Sequence, residues 1–306
     1  MEISAKVLNE LFINKLSSAE GIEKVAQESS MFIRQKLREV SFARRIVQPQ
    51  YVTKADLTRS VNHDGLVKIT DIEPDSKAMV VNFRGNPDTT YIMGERYEIP
   101  FYFVSSDDFQ KTEEELLAYE MPLTEIIEKN SVLDIQAVED ASFLSQVDQA
   151  IAVEVAAGNT TGITGTFASD GTIKKLDIKR LFDTLDGNKL RTELLLMDQT
   201  MFNRLFLYNA TTAGDQVGSE VLINGYTYST LFGKKLVVSN KKDLLGDKIY
   251  AFTSQDFFGQ FLVLNDTKFW IEKKKNIITF SSYETIGMGI GNTKSCARLT
   301  FTGTDS

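Results

Sequence analysis

One cysteine, Cys296, and one histidine, His63, are all that this 306-residue chain carries of the two most reactive side chains. A lone thiol excludes an intramolecular disulfide and a cysteine-built zinc or iron–sulfur cage, and reducing surroundings are expected. A lone histidine excludes metal sites that need two, and a Ser-His-Asp triad would have to use His63. That residue stands in Asn62-His63-Asp64-Gly65, a turn-like setting, and is read as a surface turn residue. With only 5 prolines and 19 glycines there is little room for disordered or collagen-like segments. No apolar run approaches the roughly 20 residues of a bilayer span. Met1-Glu2 leads into an amphipathic stretch, not a basic patch and apolar run, so no secretory signal is expected. The Asn-x-Thr triplets at Asn159, Asn209 and Asn265 are then chance matches.

A surplus of positive charge is also missing. The formal net charge is −8, which argues against a general nucleic-acid binder, because phosphate binding is driven by many lysines and arginines releasing counterions. The charges are unevenly spread. From Arg34 to Arg59 seven basic residues face Glu39 and Asp56, a surplus of +5. From Asp107 to Glu154 thirteen acidic residues face Lys111 and Lys129, a surplus of −11. Either these are two solvated faces, or one part of a copy sits against the other part of a neighbour.

Catalytic signatures are equally scarce. No Walker loop, nucleophile elbow or H-E-x-x-H occurs. Gly287-Met288-Gly289-Ile290-Gly291 lacks the spacing of a dinucleotide loop and is followed by only fifteen residues, so backbone turning is the expected role. The pairs Asp107/Asp108 and Glu139/Asp140 are adjacent, and adjacent helical residues point apart, so a solvated acidic face is expected. Lys273-Lys274-Lys275 reads as a solvated strand end.

What is present is an ordinary globular composition, 42% hydrophobic and 25% charged, in a chain long enough to bury a core unaided. The first fifty residues carry two apolar helical stripes: Val7, Leu8, Leu11 and Phe12, then Ile22, Val25, Phe32, Ile33, Leu37 and Val40. After Pro49 strands are predicted at 67–70, 79–83 and 97–103. The last sets Tyr97, Ile99, Phe101 and Phe103 on one face, and Pro100 confines it to an edge or a projecting hairpin. A ribbon this apolar needs something to lie on, and a neighbouring subunit would serve. Thr112-Glu113-Glu114-Glu115 matches a capping box. Beyond Pro122, Ile126, Leu133, Ala137, Leu144, Ile151 and Val155 repeat at steps of seven and four, with Glu125, Glu128, Glu139 and Glu154 off that face; the pattern predicts one long helix ended by Gly158.

The region 162–266 predicts a compact mixed unit. It holds a helix at 178–185, a buried strand at 194–197, a helix from Gln199 capped by Asp198, and strands at 220–222, 236–239 and 249–253. Three closing strands follow, at 269–272, 277–281 and 297–301. Within this region the run from Arg191 to Leu205, the segment Ser229-Thr230-Leu231-Phe232-Gly233-Lys234-Lys235-Leu236-Val237-Val238-Ser239 and the strand Gly246 to Phe252 are similar to segments of tailed-phage major capsid proteins. Arm, extended hairpin, spine helix, central domain and closing strands follow one another in the same order. The whole chain therefore resembles the Hong Kong 97 fold, with each motif degenerate and the order carrying the likeness.

That resemblance implies an α+β fold with an N-terminal arm (1–50), an extended hairpin (51–111), a peripheral domain with the spine helix (112–161), an axial domain (162–266) and closing strands of the peripheral domain (267–306). It implies a shell protein and not an enzyme, without cofactor, assembling with copies of itself into hexamers and pentamers that enclose DNA. The expected place is the virion, assembled in the host cytoplasm, with portal, separate scaffold and decoration proteins as further partners and no membrane. In this family the hairpin crosses the adjacent subunit and the arm reaches under a neighbour. The subunit-interface candidates are therefore Arg34, Arg38, Arg44, Arg45, Arg84, Tyr97, Ile99, Phe101, Phe103, Glu125 and Glu128. Some relatives crosslink a hairpin lysine with help from a buried glutamate, but the tip from Arg84 to Glu95 has no lysine, so no crosslink is expected. Three rival readings stay open: an encapsulin-type compartment, a carboxylate-dependent hydrolase, and a tail or receptor-binding module.

Overall fold

The computed structural model describes residues 41–74, 78–83, 85–86, 89, 91, 94–118, 123–169, 171–205 and 230–302, with backbone alone at 117–118, 123–126 and 128–129. The two N-terminal helices and the strand at 220–222 lie outside the described residues. Two sheets and one long helix organise the rest. The first sheet runs in the order β1 (Pro49–Tyr51), β11 (Gly259–Lys274), β12 (Ile277–Ile290), β4 (Glu95–Ser105), β3 (Leu66–Ile72), β2 (Thr58–Arg59), with β5 (Phe109–Thr112) also paired to β12. The second runs β6 (Gly162–Gly165), β13 (Cys296–Phe301), β10 (Lys248–Phe252), β7 (Leu194–Asp198), β9 (Lys234–Ser239), β8 (Thr230–Leu231).

The long helix, α3 (Leu123–Ala156), is about 51 Å long at about 1.5 Å per residue. Its end is as predicted: Gly158 takes φ +89°, a left-handed value glycine adopts without Cβ strain, and donates to the Val155 carbonyl at 3.0 Å. The short α1 (Ala43–Ile46) packs against α3, and α2 (Glu113–Ala118) precedes it. The capping box that opens α2 is formed: Glu115 N donates to Thr112 Oγ1 at 3.2 Å, and Thr112 N to the Glu115 carboxylate at 3.3 Å. Asp198 likewise caps α5 (Gln199–Leu205), accepting from Thr200 N at 2.9 Å.

β7 shows why a continuous apolar run belongs in the second sheet. Leu194 and Leu196 turn, with Tyr250 and Phe252 of β10, toward the core beneath α3. Leu195 and Met197 turn the other way, with Ile249 and Ala251, toward α4 (Lys175–Gly187) and α5. Both faces are covered, so alternation of polar residues is absent. Asp148 of α3 joins helix to sheet, accepting from Arg298 Nη1 at 2.7 Å and Tyr250 Oη at 3.2 Å.

Four expectations are corrected. The segment 79–83 forms no strand; it belongs to the hairpin tip, and β3 pairs directly with β4 from Val67↔Pro100 to Ile72↔Glu95. The closing segment does not stay together, because β13 pairs with β10 and β6 of the second sheet while β11 and β12 build the first. β11 begins at Gly259, well before the expected boundary at 266/267; register shifts between Val263 and Lys268 break its alternation and hide its continuity in the sequence. Finally, α3 is rotated from its predicted face. Leu133, Ala137 and Val155 are exposed, while Glu139, Asp140 and Glu154 are buried beside Ile135, Phe143, Val147 and Ile151.

Ion partners explain that rotation. Glu139 accepts from Arg44 Nε at 2.8 Å, and Asp140 accepts from Lys241 Nζ at 2.6 Å, Ser41 Oγ at 2.8 Å and Ala43 N at 3.0 Å. Carboxylates so partnered can occupy a buried helix face that neither could occupy alone. The acidic pair thus pins the start of the described chain onto the helix instead of facing solvent.

The Gly287-x-Gly289-x-Gly291 run is not a turn either. It lies along and just beyond β12, presenting a bare strip to β4. A Cβ at Gly287 would stand 3.1 Å from the Phe101 ring, at Gly289 2.8 Å from Ile99 Cγ1, and at Gly291 3.1 Å from the Tyr97 ring. Period-two glycines opposite period-two large side chains let the hairpin root lie flat on its own sheet. Gly289→Val is expected to cost about 1–3 kcal/mol through overpacking, read as a lowered urea midpoint with an unchanged slope.

Candidate functional site

The two faces of the first sheet have different fates. One packs on α3 through Val104, Phe261, Val263, Phe269, Ile271, Ile278, Phe280, Ile286 and Met288. The other carries a small core at one end, where Val52, Ile99 and Leu262 are buried with Leu57, Tyr97 and Phe101 against them. At the far end of that second face nothing of the described chain covers the aromatic side chains. Phe103 of β4 is 61% exposed and stacks on Tyr283 of β12, with ring centroids 5.3 Å apart, and Trp270 of β11 is 54% exposed. Register puts all three on one side, since Trp270 opposes Ser281 and Tyr283 opposes Ser105.

The second uncovered surface is the tip of the hairpin. Between Glu95 and Pro100, β4 pairs only with β3, and from Phe101 to Ser105 it pairs with β12, so the ribbon leaves the sheet at Pro100. Pro100 sits where a missing donor does least harm. Beyond the ribbon, Val80 and Phe83 are fully exposed, Tyr91 is 89% exposed and Met79 about half exposed. The described part of the tip thus leaves several large apolar side chains in water. Beneath the ribbon root, an open groove of about 820 Å³ is lined by Asp71, Glu73, Glu95 and Asp256 against Lys294.

The interface candidates divide accordingly. Phe103 is exposed on the aromatic strip, and Arg45 is exposed on α1. Arg44 and Ile99 are buried within their own chain, Arg44 between Glu139 and Glu284, Ile99 beneath the ribbon. Tyr97 and Phe101 are half-buried, turned onto Gly291 and Gly287 of the same chain, so the ribbon root rests on its own sheet. Arg34, Arg38 and Arg84, and the side chains of Glu125 and Glu128, lie outside the described residues. Val80, Phe83, Tyr91, Tyr283 and Trp270, which lie on these two surfaces, are not among the candidates. The apolar run at 79–83 was the available signal, and it was read as a strand.

His63, Cys296 and the lysine run occupy different settings. His63 accepts from Gly65 N at 3.1 Å in an exposed turn. Burial, with Glu154 and Asp148 nearby, pushes the Cys296 thiol up to about 12, so it stays neutral and unreactive. Lys273 is ion-paired with Glu113, while Lys274 and Lys275 are exposed at the β11–β12 turn.

No family model matches the chain, and no curated protein matches it. Solved structures match it over most of its length. A chain of Mycobacterium phage Adephagia aligns with a TM-score of 0.61 at 10% identity, covering 87% of this chain and 91% of that one. The capsid of a native GTA particle aligns with a TM-score of 0.58 at 11% identity, over 85% and 89% of the two chains. The capsid of cyanophage P-SCSP1u gives a TM-score of 0.57 at 14% identity, over 78% and 84%. At these identities the likeness is one of fold, and the fold is the Hong Kong 97-type fold of tailed-phage capsids.

Proposed function

We propose that this chain, which has the fold of tailed-phage capsid proteins, is a shell-building structural protein whose copies assemble into hexamers and pentamers around packaged DNA. The observation that carries the reading is the fully exposed apolar tip, Val80 and Phe83, at the end of a two-stranded ribbon. A lone ribbon is marginal in water, and an apolar tip beyond it is solvated at a cost that repeated contacts with other copies remove. Closed symmetry then multiplies many modest interfaces into a stable container. A net charge of −8 suits a wall that confines DNA without adhering to it.

On this reading the arm and the hairpin are the parts that reach other copies. A non-enzymatic role fits the withdrawal of His63, Cys296 and the buried carboxylates into structural contacts. The test is negative-stain microscopy of the purified chain after expression. Closed particles are expected, with protected DNA only when packaging partners are supplied. Protein cargo within such particles would favour a compartment of encapsulin type, and trimers or open rings would favour a tail module.

A further inference from the structure

Two buried carboxylates converge on one arginine. Arg44 Nε donates to Glu139 Oε1 at 2.8 Å and Arg44 Nη2 to Glu284 Oε2 at 3.2 Å, and all three side chains are at most 1% exposed. Thr267 Oγ1 donates to the same Glu284 oxygen at 3.0 Å, and the guanidinium lies 5.2 Å from the centroid of the Phe261 ring. Arg44 Nη1, Glu139 Oε2 and Glu284 Oε1 are buried without a hydrogen-bond partner among the described residues. The nearby ionisable groups do not redress the balance. Asp140, beside Glu139 on α3, is matched by Lys241. Asp266 on β11 adds a further negative charge acting on Arg44 and Glu284, and Tyr102 on β4 is a neutral phenol whose proton burial holds more tightly. Among the described residues one cation therefore serves two carboxylates in a site with almost no solvent exposure, where a second uncompensated negative charge is strongly disfavoured.

We propose that Glu139 and Glu284 share one proton, and that this proton is a latch keeping the root of the N-terminal segment seated on the long helix. The geometry makes the root the part that responds. Arg44 belongs to α1, whose amides are held by Arg45 N and Ile46 N to the Phe42 carbonyl at 3.0 and 3.1 Å, and Val47 N to the Ala43 carbonyl at 2.9 Å. Ser41 and α1 stand at the start of the described residues, and the latch grips them onto α3. Burial is the largest influence on Glu139, pushing it up to about 8 despite the opposing pull of Arg44, and burial raises Glu284 as well. The sign follows from linkage. The folded chain holds the proton above the ordinary value of 4.5, so the stabilisation is complete below 4.5 and is lost as pH rises through about 8. The pair titrates as a unit, so replacing either carboxylate removes the step.

Hydrogen exchange of the 42–47 amides, corrected for intrinsic rates and followed by mass spectrometry on the purified full chain, tests the latch. Between pH 6 and pH 9 protection in the wild type is expected to fall roughly tenfold or more, and in Glu139→Gln to stay level. Glu284→Gln is the second arm, should the first variant fold poorly, and is expected to behave alike. Protection in the wild type that is independent of pH, or a folded variant keeping the full wild-type fall, overturns the proposal. The outcome does not depend on whether the chain builds shells, so the two readings fail separately.

Discussion

Aspartate at both Val80 and Phe83 is expected to abolish particle formation while leaving the chain folded. Both side chains are fully exposed at the hairpin tip, and no contact within the described chain depends on them. Surface substitutions of this kind usually move stability by no more than about 0.5 kcal/mol, so the thermal midpoint of the unassembled chain stays at the wild-type value. Assembly behaves differently. A tip that enters an apolar contact must lose its water, and an unpaired carboxylate there either keeps the interface wet or is buried at a cost of several kcal/mol. Because every copy contributes a tip, the defect repeats around each ring and growth stops early. Sedimentation separates the outcomes: the variant is expected as small species only, the wild type as fast-sedimenting particles. Particles in wild-type yield would show that the tip is a bystander.

The second large effect is on stability. Among the described residues Arg44 is the one cation paired with the buried Glu139 and Glu284, and Arg44→Met is expected to destabilise the chain by about 3–5 kcal/mol. The loss arises mainly from the abandoned carboxylates and not from the missing pair, which gives a sharper test. Adding Glu139→Gln and Glu284→Gln to Arg44→Met is expected to recover a substantial part of the urea midpoint, because neutral amides tolerate burial better than unpaired charges. A single variant no less stable than wild type would contradict the assignment of Arg44 as an internal anchor.

Much of this architecture was legible in the residues because its signals are local. The capping box at Thr112, the cap at Asp198, the end of the long helix at Gly158 and the apolar run Leu194–Met197 of β7 each depend on neighbours a few residues away. What escaped depends on partners distant in the chain. The rotation of α3 needs Arg44 and Lys241, 95 and 101 residues from the carboxylates they hold. The glycine strip is intelligible only once Tyr97, Ile99 and Phe101 are known to lie across it. The apolar face of β4 likewise depends on distant partners: Tyr97, Ile99 and Phe101 lie against glycines of the same chain, while Phe103 is left exposed. The unsatisfied surface lies on either side of it, in an irregular tip and in an aromatic strip assembled from three strands.

Hydroxyl-radical footprinting of Phe83, Tyr91 and Trp270, before and after assembly, tests most directly whether one copy leaves these surfaces for others to cover. Strong labelling of all three in the unassembled chain, with protection of the tip residues in particles, is the expected result. Equal labelling in both states, or a chain that stays monomeric at high concentration with the tip already protected, would contradict it.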